Sequence, residues 1–147
     1  MLNNFLNNAK ITSVLAKVSA GTAVSYSDIV DMKGYDSVCF IAKFGTGLAT
    51  SVITLQAQQN TLNSTGAMAT LEGSVTDTAG SPPTDDGLLV LDIVRPGERY
   101  IRAMLTSATA NAEKDAIIAI QYNAGDVPIT QGSTVFDSDT LTSPDEA

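Results

Sequence analysis

Three short apolar runs within residues 87–123, separated by turn-forming residues, limit what this chain can become more than any other feature. The runs occupy 87–94, 99–105 and 115–123 and are rich in Val, Ile and Leu. Runs of this length, bounded by Gly, Pro and Asn, read as β-strands. Pro96 and Gly97 form a turn signal between the first two, because proline presets φ near about −65° and glycine accepts positive φ. Leu89, Leu91 and Ile93 line one face of the first run, and Ile101, Ala103 and Leu105 one face of the second. In the third, Ala116, Ile118, Ile120 and Tyr122 line one face, while Ile117 and Ala119 make the other apolar too. The expectation is an antiparallel meander whose third strand is central, with Ile118 in the core.

The rest of the chain extends this β pattern. Residues 11–18 read as a first strand, 23–26 as a short edge strand, and Gly34 as a positive-φ turn residue. Residues 37–44 are apolar on both faces, with Val38, Phe40, Ala42 and Phe44 opposite Cys39 and Ile41, so this strand belongs inside a sheet. Gly45-Thr46-Gly47 reads as a turn. Residues 51–60 alternate, with Ile53, Leu55 and Ala57 on the buried side. Residues 60–86 are weakly patterned, with a short strand expected at 68–75. About seven or eight strands follow, with turn spacing suited to a β-sandwich or jelly roll. The predicted architecture is all-β: an antiparallel sandwich at 9–124, a short N-terminal arm at 1–8 and an acidic extended tail at 125–147. Leu2, Phe5 and Leu6 have spacings that also fit a helical turn in the arm.

Composition removes several function classes. The net charge of −8 lacks the basic balance of a nucleic-acid binder. The eight Lys and Arg residues are scattered, so no polybasic membrane segment forms. No window approaches the length of apolar sequence needed to span a bilayer, and residues 1–20 lack the apolar core of a signal peptide. The expectation is a protein made and used without secretion. There is no histidine, so Ser-His-Asp, Cys-His and His-bearing zinc sites are excluded. Cys39, the only cysteine, reads as a small buried hydrophobe. Gly45 to Thr50 starts like a dinucleotide fingerprint but lacks its third glycine. Asp137-Ser138-Asp139 begins like a calcium loop and then fails. Asp77, Asp85 and Asp86 read as solvated loop carboxylates, with a shared cation as the alternative. No catalytic residue, cofactor or metal is expected.

Two regions read as contact surfaces. Arg95, Arg99 and Arg102 cluster around the Pro96 turn. Ion pairing with Asp92 and Glu98 is one reading, and a fork toward an acidic partner is the other. The tail carries Asp126, Asp137, Asp139, Asp145 and Glu146 with no Lys or Arg among residues 125–147. Such a segment does not offset its own ordering entropy. It is expected to pack on a neighbouring chain through Val127, Ile129, Val135, Phe136 and Leu141.

Two stretches carry a family resemblance. One runs from Val30 through Asp31, Met32, Lys33, Gly34, Tyr35, Asp36 and Ser37 to Val38. The other runs from Leu89 to Pro96, through Arg99-Tyr100-Ile101-Arg102, to Ala119-Ile120-Gln121-Tyr122. Together they resemble small tailed-bacteriophage virion proteins of the head decoration, or capsid cement, type. The resemblance covers roughly residues 29–128 and transfers no catalytic residue. It implies a structural virion protein on the outer surface of the capsid, bound to the major capsid protein. It also implies a homo-oligomer, with a trimer preferred and a dimer next. The alternatives are a β-sandwich module of a head fibre or tail that recognises a host-surface glycan, and a head–tail joining component.

Overall fold

The structure, a computed structural model, describes residues 4–47, 50–77, 86–143 and 145. A short helix, α1 (Phe5–Asn8), opens it, capped by the Asn4 side chain on the Asn7 N–H at 2.9 Å. Ten strands follow: β1 (Lys10–Leu15), β2 (Val18–Gly21), β3 (Ser25–Tyr26), β4 (Val30–Asp31) and β5 (Tyr35–Gly47). The remainder are β6 (Val52–Asn60), β7 (Ala69–Asp77), β8 (Leu88–Val94), β9 (Tyr100–Ala108) and β10 (Ala112–Ala124). They form two five-stranded antiparallel sheets. The first is ordered β1-β10-β5-β8, with β2 also on β10; the second is ordered β3-β9-β6-β7, with β4 also on β9.

The core lies between the sheets. Val38, Phe40 and Ala42 of β5, Ile117 and Ala119 of β10, and Leu89 and Ile93 of β8 supply one side. Ile53, Leu55 and Ala57 of β6 and Ile101, Ala103 and Leu105 of β9 supply the other. Each set recurs every second residue, as a pleated strand with one buried face requires. The fold is an all-β antiparallel sandwich, and β10 and β5 are interior strands of their sheet.

Four details differ from the sequence reading. The three runs of 87–123 do not form a meander: β8 pairs with β5, β9 with β6, and β10 with β1, β2 and β5. Successive runs alternate between sheets, so the Pro96 turn is a crossover. Its positive φ falls on Arg95 (+52°), not on Gly97. The Arg95 N–H is still bonded to Asp36 O at 3.1 Å, so the chain leaves the first sheet only after it.

The second difference is the face of β10. Ile117 is buried and Ile118 is only half-buried. Registers with β5 shift on either side of Lys114. A bulge of this kind moves alternation onto the opposite parity. Ala112 and Lys114 are buried before it; Ile117, Ala119 and Gln121 are buried after it. Within the run 115–123 the apolar pattern favours the wrong face, because Ile118, Ile120 and Tyr122 lie on the outer side while the inner side carries the buried Gln121, whose amide donates to Asp31 O.

Third, Gly45-Thr46-Gly47 is not a turn, because β5 continues through Gly47. A Cβ on Gly45 would stand 3.0 Å from Asp115 Oδ1 and from Glu113 Oε2. The glycine makes room for two β10 carboxylates beside the bulge. Finally, the strand predicted at 11–18 is interrupted at Ala16 and Lys17, giving β1 and β2 along the same partner.

Candidate partner-binding surfaces

Each of the three arginines is paired with a side chain from a different strand. Arg99 makes a two-pronged contact with Asp31 of β4, Nε to Oδ1 at 2.8 Å and Nη2 to Oδ2 at 2.9 Å. That hydrogen bond holds the Asp31 carboxyl down at about 2, from 3.8. Arg102 is buried on the outer side of β9, and its Nε and Nη2 both donate to Gln58 Oε1, at 2.9 and 2.7 Å. Its guanidinium also lies 4.1 Å from the centre of the Tyr26 ring, a cation–π contact. Arg95 is exposed and only loosely paired, with Nε 3.6 Å from Asp36. Asp92 and Glu98 are not the partners: Asp92 accepts from Tyr122 OH at 2.6 Å and Glu98 from Thr61 Oγ1 at 3.0 Å. The structure does not bring the three guanidinium groups together on one acceptor. Arg95 keeps the weakest internal contact of the three.

The tail divides into two parts. Ile129 N–H donates to Asn7 O at 3.0 Å. Gln131 Oε1 accepts the Ile11 N–H at 2.9 Å, and its Nε2 donates to Ala9 O at 2.7 Å and Leu6 O at 3.2 Å. Thr134 Oγ1 accepts the Ser13 N–H at 3.1 Å. Residues 129–134 therefore lie along the edge of β1 and satisfy its outward backbone donors. This corrects the expectation that the whole tail needs a neighbouring chain: an amide and a hydroxyl supply the ordering contacts from within. Ile129 and Val135 are half-buried there. Val127 is exposed, and beyond the anchored stretch so are Phe136 (99%) and Leu141 (74%). Phe136 stands at the rim of a cleft lined by Val14, Leu15, Tyr26, Asp28 and Thr134.

The outer face of the first sheet carries a charge cluster and an apolar strip. Lys43 Nζ lies 3.0 Å from Asp115 and 3.1 Å from Asp86, and Lys17 bonds Glu113 at 2.5 Å. The hydrogen bonds to Asp115 and Asp86 raise the Lys43 pKa. Asp86 is thus engaged by a lysine, Asp85 lies outside the described residues, and Asp77 ends β7. No group of three metal-ligating side chains occurs among the described residues. Cys39 is half-buried on the same face, burial raising its thiol pKa. The strip consists of Leu88, Val90 and Val94 on β8, all exposed. Sequence reading passed over it, although the signal was present: an apolar run on both faces that ends up at a sheet edge.

Among the described residues, no helix is long and apolar enough to cross a membrane. Comparison of the sequence with protein-family models and with curated proteins gives no match.

Proposed function

We propose that this chain is a structural protein of a tailed-bacteriophage virion, a capsid decoration protein that binds and stabilises the shell of the major capsid protein. The observation that carries the reading is the C-terminal segment. It is pinned to β1 through Gln131 and Thr134, then presents Phe136 and Leu141 on either side of the carboxylates of Asp137 and Asp139. An anchored arm that ends in exposed apolar side chains fits a small domain that must hold onto a larger surface. Its carboxylates would set the docking position against basic groups of the shell.

The connectivity supports the same reading. β1 and β2 lie end to end on β10, and β3 and β4 on β9, so each pair counts as one interrupted strand. About eight strands then remain, running first-eighth-third-sixth in one sheet and second-seventh-fourth-fifth in the other. We read this as a jelly roll, an architecture used by viral shell proteins and also by lectins.

The test is binding to undecorated shells, made with the full chain and with a chain truncated after Thr134. The reading expects saturable, salt-sensitive binding of the full chain and at least about tenfold weaker binding of the truncated one. Absence of binding by the full chain would reject it.

A further inference from the structure

We infer that the edge of β8 turned away from β5, which has no partner among the described residues, is a self-association surface, and that two copies of this chain pair there, β8 against β8, antiparallel about a two-fold axis at Leu91. Arg95 N–H donates to Asp36 O, and Gly87 O accepts from Phe44 N–H, both at 3.1 Å. The residues paired between these ends are Leu89 with Ala42, Leu91 with Phe40 and Ile93 with Val38. Backbone groups alternate in direction along a strand, so the odd-numbered residues of β8 face β5. The N–H and C=O groups of Leu88, Val90, Asp92 and Val94 therefore point away from it, and β8 has no second partner among the described residues.

The same four residues carry their side chains on the outer face. Leu88 is 58%, Val90 52% and Val94 62% exposed. One strand thus shows a row of open backbone groups and a row of exposed apolar side chains. It has no Pro, Lys, Arg or bulge to blunt it. The other edges are covered, broken or short, β2 being four residues long. The tail covers β1 through Gln131 and Thr134. β7 is broken by a register shift and by Gly73 at φ +77°, and exposes Glu72. β3 and β4 are two residues each.

The occupant follows from self-complementarity. A two-fold axis normal to the sheet pairs residues of equal parity, so that both outer faces stay outside. With the axis at Leu91, Leu88 meets Val94 of the second copy and Val90 meets its Asp92. All four open residues of each copy then enter hydrogen-bonded pairs, about eight bonds in total. Arg95 comes abreast of Gly87 of the second copy, beside its Asp86. This places the most loosely paired guanidinium next to a carboxylate with 76% side-chain exposure. An axis at Asp92 would instead set two carboxylates opposite each other, which is unfavourable. The two first sheets would join as one continuous sheet, with a seam that is apolar except for Asp92 of each copy.

The inference stands without the virion reading, since it is decided on purified protein and shell binding is measured separately. Sedimentation velocity on the full chain should give a dimer. Val90→Lys, at an exposed side chain, should raise the dimer dissociation constant at least about tenfold, as an edge lysine does. Its unchanged far-ultraviolet circular dichroism would show the fold intact. Leu91→Cys in a Cys39→Ser background should form an intermolecular disulfide, because directly opposed residues of a non-hydrogen-bonded pair are about 4.5 Å apart at Cα. Val94→Cys in that background should not, since it faces Leu88. A monomer at about 100 μM, well above most specific dimer constants, would overturn the inference. A trimer would also overturn it, as would a dimer indifferent to Val90→Lys or one that Val94→Cys cross-links in preference to Leu91→Cys.

Discussion

Gln131 Oε1 accepts the backbone N–H of Ile11 at 2.9 Å, across 120 residues of chain. The amide group of the same side chain holds the carbonyls of Ala9 and Leu6. One glutamine thus ties the C-terminal segment to the edge of β1 and to the end of α1. Gln131→Ala removes all of these bonds together. A part-buried donor left unpaired costs about 1–3 kcal/mol, and a loss in that range is expected by urea denaturation. Residues 129–143 should also become sensitive to brief proteolysis while residues 9–124 stay intact. An unchanged cleavage pattern would show that the anchor lies elsewhere.

The inverted face of β10 sets up a paired substitution. Ile117 is fully buried and Ile118 half-buried. Ile117→Ala should cost about 2–5 kcal/mol, the range for truncating a buried isoleucine. Ile118→Ala should cost less than half of whatever Ile117→Ala costs in the same buffer. Equal costs, or a reversed order, would place the bulge at Lys114 wrongly.

Much of the sandwich is legible in the sequence because a strand with one buried face must alternate. Ile53, Leu55 and Ala57, and Ile101, Ala103 and Leu105, are buried as their spacing predicts. Which strands pair is not legible, because β8 and β9 show the same alternation whether joined to each other or to β5 and β6. The β10 face was misread because Ile118, Ile120 and Tyr122 make its outer side apolar, while a polar residue, Gln121, is buried on the inner side through a bond to Asp31 O that only the fold supplies. The anchored part of the tail was hidden for a related reason: composition reports entropy, whereas Gln131 and Thr134 act through donors on a strand far away in sequence. Arg99 was legible as a carboxylate fork, but its partner Asp31 becomes a neighbour only through the pairing of β4 with β9.

Gly87 marks a close approach in the core. A Cβ built there would lie 2.2 Å from Cζ of Phe44, whose ring is buried. Gly87→Ala must displace that ring, and overpacking of this kind costs about 1–3 kcal/mol. The thermal midpoint should fall accordingly, and Phe44→Leu added to Gly87→Ala should recover part of the loss. A Gly87→Ala chain as stable as the parent would contradict the packing.

The Asp31–Arg99 pair gives a pH dependence with a defined sign. The folded carboxyl titrates at about 2, below its ordinary 3.8. A depressed carboxyl pKa means the unfolded chain binds the proton more tightly. The stabilisation is complete above about pH 4 and is lost as pH falls toward 2. The pair is nearly half-exposed on both sides, so its worth is the screened value of about 0.5–1 kcal/mol. Asp31→Asn should be less stable than the parent by that amount at pH 6, and the difference should shrink from about pH 4 downward to a small remnant at pH 2. A difference undiminished at pH 2 would assign the effect to packing and not to charge.

The most direct test of the decoration reading is the copy number and position of this protein in purified particles, by quantitative mass spectrometry and specific labelling under the electron microscope. The account predicts many copies, in fixed proportion to the major capsid protein and spread over the whole outer shell. Confinement to one vertex, a fibre or the tail, or absence from the particle, would contradict it.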